Sequence, residues 1–279
     1  MYQQFIVKAK EEISTVRSII KTNENIRNLI SKSGDRSCSK EYIKIIENLK
    51  SDIPKTKDWI RYDHCFAVTQ LYAIYENFVE NLIGDWLIVL PKLFVSYSEL
   101  DERIQNTHRV GIGRLLIDLN KNRYEHLSID RVISSLNDGI SNEKQYELLP
   151  EAFLFHEQNL RREILEKLLA DAGIDNTWTW VEKHRNIKNF VEEIRGSENT
   201  AEGELNELIS YRNEAAHGAE MNNVLRLKPL LELCDFVESF CQALVELFAY
   251  KTRSNVKRKL VRQQKSVKSQ NGSKNRKQV

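Results

Sequence analysis

Arg212, Asn213 and His217 place a planar cation, an amide and an imidazole within six consecutive residues. A guanidinium presents paired N–H donors that match the oxygens of a phosphate or a carboxylate, with more geometric specificity than an ammonium. An imidazole gives and takes a proton near neutral pH, the requirement of general acid–base chemistry. An amide beside them can orient either the anion or the ring. The three lie on the stretch Glu204 to Gly218, where Leu205, Leu208, Ile209 and Ala216 follow the i, i+3, i+4 spacing of one helical face. At about 100° per residue, Arg212 falls within that apolar stripe. A buried, unpaired charge is too costly to leave there, so it must meet a carboxylate, a partner surface or an anionic ligand. Gly218 is expected to end the helix and leave His217 at its C-terminus, where the helix dipole favours imidazolium.

The spacing by itself is weak, because the chain contains it twice. Arg103-Ile104-Gln105-Asn106-Thr107-His108 is the second instance. Context separates the two. An apolar residue follows Arg103, and the segment runs on to Arg109-Val110-Gly111. Arg212 is followed by Asn213, with small alanines before His217, Gly218 after it and a long apolar-striped segment downstream. The pair at 212 is the functional candidate.

Arg212-Asn213-x-x-x-His217 resembles the R-(polar)-x-x-x-H signature of the HEPN superfamily of all-helical ribonucleases and nucleotide-binding modules. Two further segments resemble its RiboL-PSP-HEPN branch: the aromatic-rich run Leu71-Tyr72-Ala73-Ile74-Tyr75-Glu76-Asn77-Phe78, and Glu157-Gln158-Asn159-Leu160-Arg161 upstream of the motif helix. The resemblance implies a metal-independent RNA endonuclease. In such an enzyme the substrate's 2′-hydroxyl attacks the adjacent phosphate, leaving a 2′,3′-cyclic phosphate and a 5′-hydroxyl. It also implies a homodimer in which two motif helices contribute to one composite site, and a setting as a toxin or anti-phage effector restrained by an antitoxin or another regulatory partner. A dimer surface would account for an arginine on an apolar stripe. The alternative function is a non-catalytic HEPN-type interaction or nucleotide-binding module.

Structural roles compete with the chemical ones. Arg212 can pair with a core carboxylate such as Glu76 or Glu80. His217 can cap the terminal carbonyls of its helix. His64 lies on a core stripe and reads as a hydrogen-bonded interior histidine. Trp178 and Trp180 read as packing anchors before base-stacking platforms. No H-E-x-x-H or comparable spacing occurs, so neither a metal nor a cofactor is expected.

Composition sets the frame. The 279 residues include only 10 Gly and 4 Pro, and their long periodic segments predict an all-α protein. The expected architecture is a multi-helix HEPN-type bundle with long antiparallel core helices over residues 1–253 and a disordered basic tail over 254–279. The formal charge of +2 hides a split: residues 251–279 hold 11 Lys/Arg and no Asp/Glu, leaving the body with a net charge of −9. That balance argues against a general nucleic-acid coat protein. Lys257, Arg258, Lys259 and Arg262 are the tail's candidates for RNA contact by counterion release. The four cysteines show no C-x-x-C, and Cys234 and Cys241, seven apart on one helix, stand beyond disulfide reach. With no secretory signal at Met1-Tyr2-Gln3-Gln4, a reducing cytoplasm is expected. Glu76, Glu80 and Asp85 interrupt the most apolar region, Leu71 to Val95, so no membrane span is expected.

In chain order, Phe5 to Ile30 is expected to be a helix with Ile6, Ala9, Ile13, Val16 and Ile20 on its inner face. A short helix should run from Ser39 to Lys50. The spine is a helix from about Lys57 to Leu90, closed by Pro91, with His64, Ala67, Leu71, Ile74, Tyr75, Phe78 and Leu82 on one stripe and Trp86 at its edge. Loops are expected at Gly111-Ile112-Gly113 and Asn137-Asp138-Gly139, a helix from Glu157 to near Gly173, and a short helix around Lys188 to Ile194. A last helix from Leu225 to Arg253 buries Leu230, Cys234, Val237, Cys241, Leu244 and Phe248.

Overall fold

The structure is a computed structural model describing residues 2–32, 40–142, 145–155, 158–196, 199–217 and 223–275; the side chains of 32, 40–43, 46, 195, 217 and 261–275 lie outside the description. The described residues form ten α-helices, with three short 3-10 turns and a π-helical turn (Phe190–Arg195) between them: α1 (Gln3–Lys32), α2 (Lys40–Asp52), α3 (Thr56–Leu93), α4 (Glu102–Asp118), α5 (Ile129–Ile140), α6 (Arg162–Asp171), α7 (Thr177–Lys183), α8 (Arg185–Asn189), α9 (Ala201–His217) and α10 (Leu227–Asn275). No strand occurs among them. The protein is an all-α bundle, as its periodicity requires. None of its described helices is long and apolar enough to cross a membrane.

The chain divides into two compact units. One comprises Ile6–Phe78 and Glu182–Gln242. Its core is the predicted set: Ile6, Ala9, Ile13, Val16 and Ile20 of α1, Ala67, Leu71, Ile74, Tyr75 and Phe78 of α3, and Leu230, Cys234, Val237 and Cys241 of α10 are all buried. Burying apolar side chains at this density is the main drive to fold, at about 25 cal/mol per Å² removed from water. Tyr75 meets Phe240 edge to face at 5.6 Å, and Phe236 packs on both Phe190 and Phe240. Charged pairs fix the helices at the margin of this core. Arg17 of α1 donates to Asp235 and Glu238 of α10 at 2.5 and 2.7 Å, and Arg27 pairs with Glu24 at 2.8 Å and with the buried Asp63 of α3. The free thiols of Cys234 and Cys241 are buried, and burial pushes that of Cys234 up to about 12. Cys38 lies outside the described residues.

The other unit comprises Met1–Phe5, Val79–Val181 and Ala243–Val279. Trp86 of α3 donates its indole N–H to the Ala172 carbonyl at 2.8 Å and meets Phe248 of α10 edge to face. Asp101 and Ser128 cap α4 and α5 by accepting the N–H groups of Arg103 and Arg131.

Two expected loops in this unit are helix. Gly111 and Gly113 lie inside α4, and Asn137, Asp138 and Gly139 lie inside α5. The reason is close packing: a Cβ on Gly111 would stand 1.9 Å from the Ala152 carbonyl oxygen, so the absent side chain admits a neighbouring backbone. Gly139 likewise receives the Tyr97 ring. Pro91 sits within the last turn of α3 instead of closing it, where a proline removes a single i→i−4 bond. The helix expected from Glu157 begins at Arg162, and α7, over the two tryptophans, was not foreseen. α10 carries the backbone past Arg253 to Asn275.

Candidate active site

The motif sits on α9, in the unit formed by Ile6–Phe78 and Glu182–Gln242. Thr200 accepts the Gly203 N–H at 3.0 Å, and Glu202 and Glu204 occupy the first turn, where the helix dipole favours negative charge. Leu205, Leu208 and Ile209 are buried, but the buried stripe stops there. Ala216 is exposed and Arg212 is half-buried. The expectation that Arg212 lies in the middle of a buried stripe is therefore corrected. From Ser210 to Ala216 no residue of α9 is fully buried, Tyr211 and Arg212 being half-buried.

Arg212 is held by neutral groups. Its guanidinium stands over the face of Tyr72 on α3, 5.1 Å from the ring centroid, and Nη1 donates to the Asn213 side-chain oxygen at 3.1 Å. Among the described residues no carboxylate lies within ion-pair distance of it. Tyr72 in turn donates its hydroxyl to Glu76 at 3.0 Å. Glu76, one of the two carboxylates considered as core partners, thus holds the tyrosine beneath the guanidinium instead of the guanidinium itself. A cation on an aromatic face is stabilised by the ring quadrupole while its in-plane donors remain available.

His217 is the last residue of α9; its side chain and Gly218 lie outside the described residues. The five-residue step from Arg212 corresponds to a rise of about 7.5 Å along the axis.

His64 braces this region from α3. It is wholly buried, meets Tyr211 edge to face at 5.5 Å, and accepts the Leu225 backbone N–H at Nδ1, 3.0 Å away. An accepting Nδ1 puts the ring proton on Nε2, which has no partner among the described residues. Burial pushes the imidazole down to about 4, so the ring is neutral near pH 7. One side chain thereby contacts the residue before Arg212 and holds the backbone at Leu225, just ahead of α10. Sequence periodicity marks His64 as an interior histidine but carries no signal for a partner 161 positions away. Tyr72 was named only as part of the aromatic-rich run on this helix, and its place under Arg212 was not legible.

The second Arg-x4-His pair sits on α4, in the unit containing Val79–Val181, and is committed to structure. Arg103 pairs with Asp171 at 2.9 Å and lies 3.9 Å from Asp175. His108 is wholly buried, with Nδ1 3.1 Å from the Tyr97 hydroxyl and Nε2 3.0 Å from Ser135 Oγ. Burial, with Arg109 beside it, pushes its imidazole down to about 4.

The tryptophans serve packing. Trp178 is buried with Arg162 over its ring, and Trp180 donates to the Ala243 carbonyl at 2.9 Å and lies against Tyr250. Of the tail candidates, Lys257 and Arg258 are exposed, and Lys259 donates to the Lys92 carbonyl at 2.8 Å, satisfying one of the open carbonyls at the end of α3. The Arg262 side chain, and the expected disorder of the last residues, fall outside the description. Among the described residues no group of three or more His, Cys, Asp or Glu side chains is placed to hold a metal ion.

Against known protein families, residues 36–250 match the family model described as RiboL-PSP-HEPN. Neither a curated protein nor a solved structure matches the chain.

Proposed function

Because the chain belongs to the RiboL-PSP-HEPN family, we propose that it is a metal-independent RNA endonuclease acting through Arg212, Asn213 and His217. The observation that carries this reading is the half-buried Arg212 guanidinium, held by the Tyr72 ring and the Asn213 amide, with no carboxylate among the described residues to neutralise it. A cation so held suits an anion that arrives with the substrate.

In this mechanism Arg212 binds the non-bridging oxygens of the scissile phosphate and stabilises the charge that builds on them. The 2′-oxygen attacks the adjacent phosphorus as a base takes its proton. The bond from phosphorus to the 5′-oxygen breaks, and an acid protonates the leaving oxygen. The products are a 2′,3′-cyclic phosphate and a 5′-hydroxyl. His217 supplies the proton transfer. One imidazole cannot stand on both sides of the phosphorus, so a second copy of the chain contributes its own pair to a composite cleft. Asn213 fixes the guanidinium. The cellular setting consistent with this activity is a toxin or anti-phage effector with a restraining partner.

A second reading, a HEPN-type interaction or nucleotide-binding module without catalysis, is favoured by the acidic body, whose net charge of −9 repels RNA. Incubating RNA with the protein in EDTA, beside Arg212→Ala and His217→Ala, separates the two. Cleavage lost in both variants at unchanged melting temperature is the expected result. Identical behaviour of all three proteins would leave only the binding module.

A further inference from the structure

α10 changes character along its length. Through Phe248 it buries an apolar face, whereas residues 251–279 hold 11 Lys/Arg, no Asp/Glu and no aromatic side chain. Yet this basic stretch is not purely polar. Val256 and Leu260, one turn apart on one face of the helix, are 40% and 54% exposed. The same stretch meets the end of α3, where Lys259 donates to the Lys92 carbonyl at 2.8 Å. There Ile88, one turn before Lys92, is 54% exposed, and Val95, just past α3, is 51% exposed. A single exposed aliphatic needs no explanation, but four around one helix junction mark a surface that meets something.

The charge around this junction is unbalanced. Among the described residues no carboxylate lies within ion-pair distance of Lys92, Lys251, Arg253, Lys257, Arg258 or Lys259. By contrast, Lys121 and Lys167 of the same unit each meet a carboxylate at 2.9 Å. Two acids stand at its edge. Glu99 accepts the Val95 backbone N–H at 3.1 Å, and burial pushes the Asp85 carboxyl above its ordinary range, with Lys92 pulling the other way. They leave the surface positive, with aliphatic side chains set among its cations.

That mixture selects among anions. A single RNA strand is held by cations together with aromatic platforms for its bases, and residues 251–279 supply no such platform. Aliphatic side chains gain little against a sugar–phosphate chain. At a bilayer both features are used: cations meet anionic headgroups, and aliphatic side chains enter the boundary between headgroup and acyl chain. One such signal gives only marginal attachment, and the two together hold. We propose that the junction of α3 with the basic end of α10 docks on an anionic lipid surface. Ile88, Val95, Val256 and Leu260 enter the interface, and Lys92, Lys257 and Arg258 meet the headgroups. The protein lies on such a surface without crossing it, since no described helix is long and apolar enough to span.

The test is sedimentation of the full chain with vesicles of phosphatidylcholine alone and of equal parts phosphatidylcholine and phosphatidylserine. Binding to a 2′-O-methyl RNA oligonucleotide, which has no 2′-hydroxyl to attack with, is measured beside it. The anionic vesicles should bind about tenfold or more tightly than the neutral ones. The double variant Val256→Ser/Leu260→Ser should weaken vesicle binding by about tenfold and leave RNA binding within about twofold. Lys257→Gln and Arg258→Gln should each weaken vesicle binding by about fivefold, and Lys8→Gln on α1 should leave it unchanged. All five positions are exposed, so melting temperatures should hold. Equal binding to the two vesicles, or vesicle binding indifferent to the double serine variant, would overturn the proposal. So would RNA binding that falls in step with vesicle binding in that variant, which would assign the face to nucleic acid. Release from the vesicles by hexaglutamate at equal charge would point to an acidic protein surface instead. A changed sedimentation coefficient of the double variant without lipid would make the face a contact between copies, and either result would also overturn it. No arm reads cleavage, so this proposal and the nuclease reading fail separately.

Discussion

Arg103 and His108 stand five residues apart on α4, as Arg212 and His217 do on α9. The surroundings of the two arginines differ in kind. Arg103 faces Asp171 and Asp175 and is electrically matched within its own unit. Arg212 faces a tyrosine ring and an amide, which fix its position without cancelling its charge. His108 has a neighbour at each ring nitrogen and no exposure, so no substrate reaches it. The same spacing thus yields a structural staple in one unit and, among the described residues, a cation without a carboxylate partner in the other. What separates them is the chemistry of the side chains brought alongside, which the spacing alone does not encode.

The largest test of that contrast is on catalysis. Arg212→Ala and His217→Ala should each lower RNA cleavage by about 10²–10⁴-fold, the usual scale for losing a proton-transfer group or a charge stabiliser. The stability of Arg212→Ala should fall by no more than about 1 kcal/mol, because among the described residues Arg212 meets a ring and an amide and completes no ion pair. A parent rate in either variant, measured on a labelled oligonucleotide with EDTA, would dissolve the distinction between the two pairs.

The reverse pattern is expected at His108. His108→Ala removes a buried ring and leaves a cavity beside the Tyr97 and Ser135 hydroxyls, which keep the Gln105 and Glu147 carbonyls; the loss should cost about 3 kcal/mol in urea denaturation. The pH dependence carries the same information. His64 and His108 are held near 4 in the folded chain against an ordinary value of 6.5, so between these limits the unfolded chain binds more protons. The stability these two rings contribute is complete above pH 6.5 and is lost progressively as pH falls towards 4. His108→Ala should flatten that acid slope, leaving the share due to His64. A slope identical to the parent's would mean that the ring at 108 is not held neutral.

Much of this was legible in the sequence because a helix face repeats at a fixed period. Every predicted inner residue of α1, from Ile6 to Ile20, is buried, as is every one predicted on α10 from Leu230 to Phe248. The failures came where a residue's meaning depends on a distant neighbour. Gly111 and Gly139 have the composition of turns, yet each is a gap in a helix through which Ala152 or Tyr97 approaches. Tyr72 beneath Arg212, and Leu225 on His64, are contacts across about 140 and 160 positions, and no local pattern announces them.

Gly111 sharpens the contrast on the α4 side. A methyl group there meets the Ala152 backbone at 1.9 Å, and backbone cannot rotate aside, so Gly111→Ala should destabilise by about 1–3 kcal/mol. Gly113, two positions on, has nothing within 4 Å of a built Cβ, and Gly113→Ala should stabilise α4 by up to about 1 kcal/mol through helix propensity. Thermal melts of the two variants should therefore move in opposite directions, and matched shifts would refute the close approach.

The smallest expected effect belongs to Arg103→Ala, and its smallness is informative. The guanidinium is about half exposed, so its ion pair is screened by solvent and worth at most about 0.5–1 kcal/mol. Asp171 keeps a second cation, Lys167, at 2.9 Å and is not left bare. The capping bond from Asp101 uses the backbone N–H of residue 103, which the substitution retains. Melting temperature should fall by no more than a few degrees, and cleavage per folded molecule should not change. If RNA cleavage instead collapsed in Arg103→Ala while Arg212→Ala stayed active, the roles assigned to the two pairs would have to be exchanged.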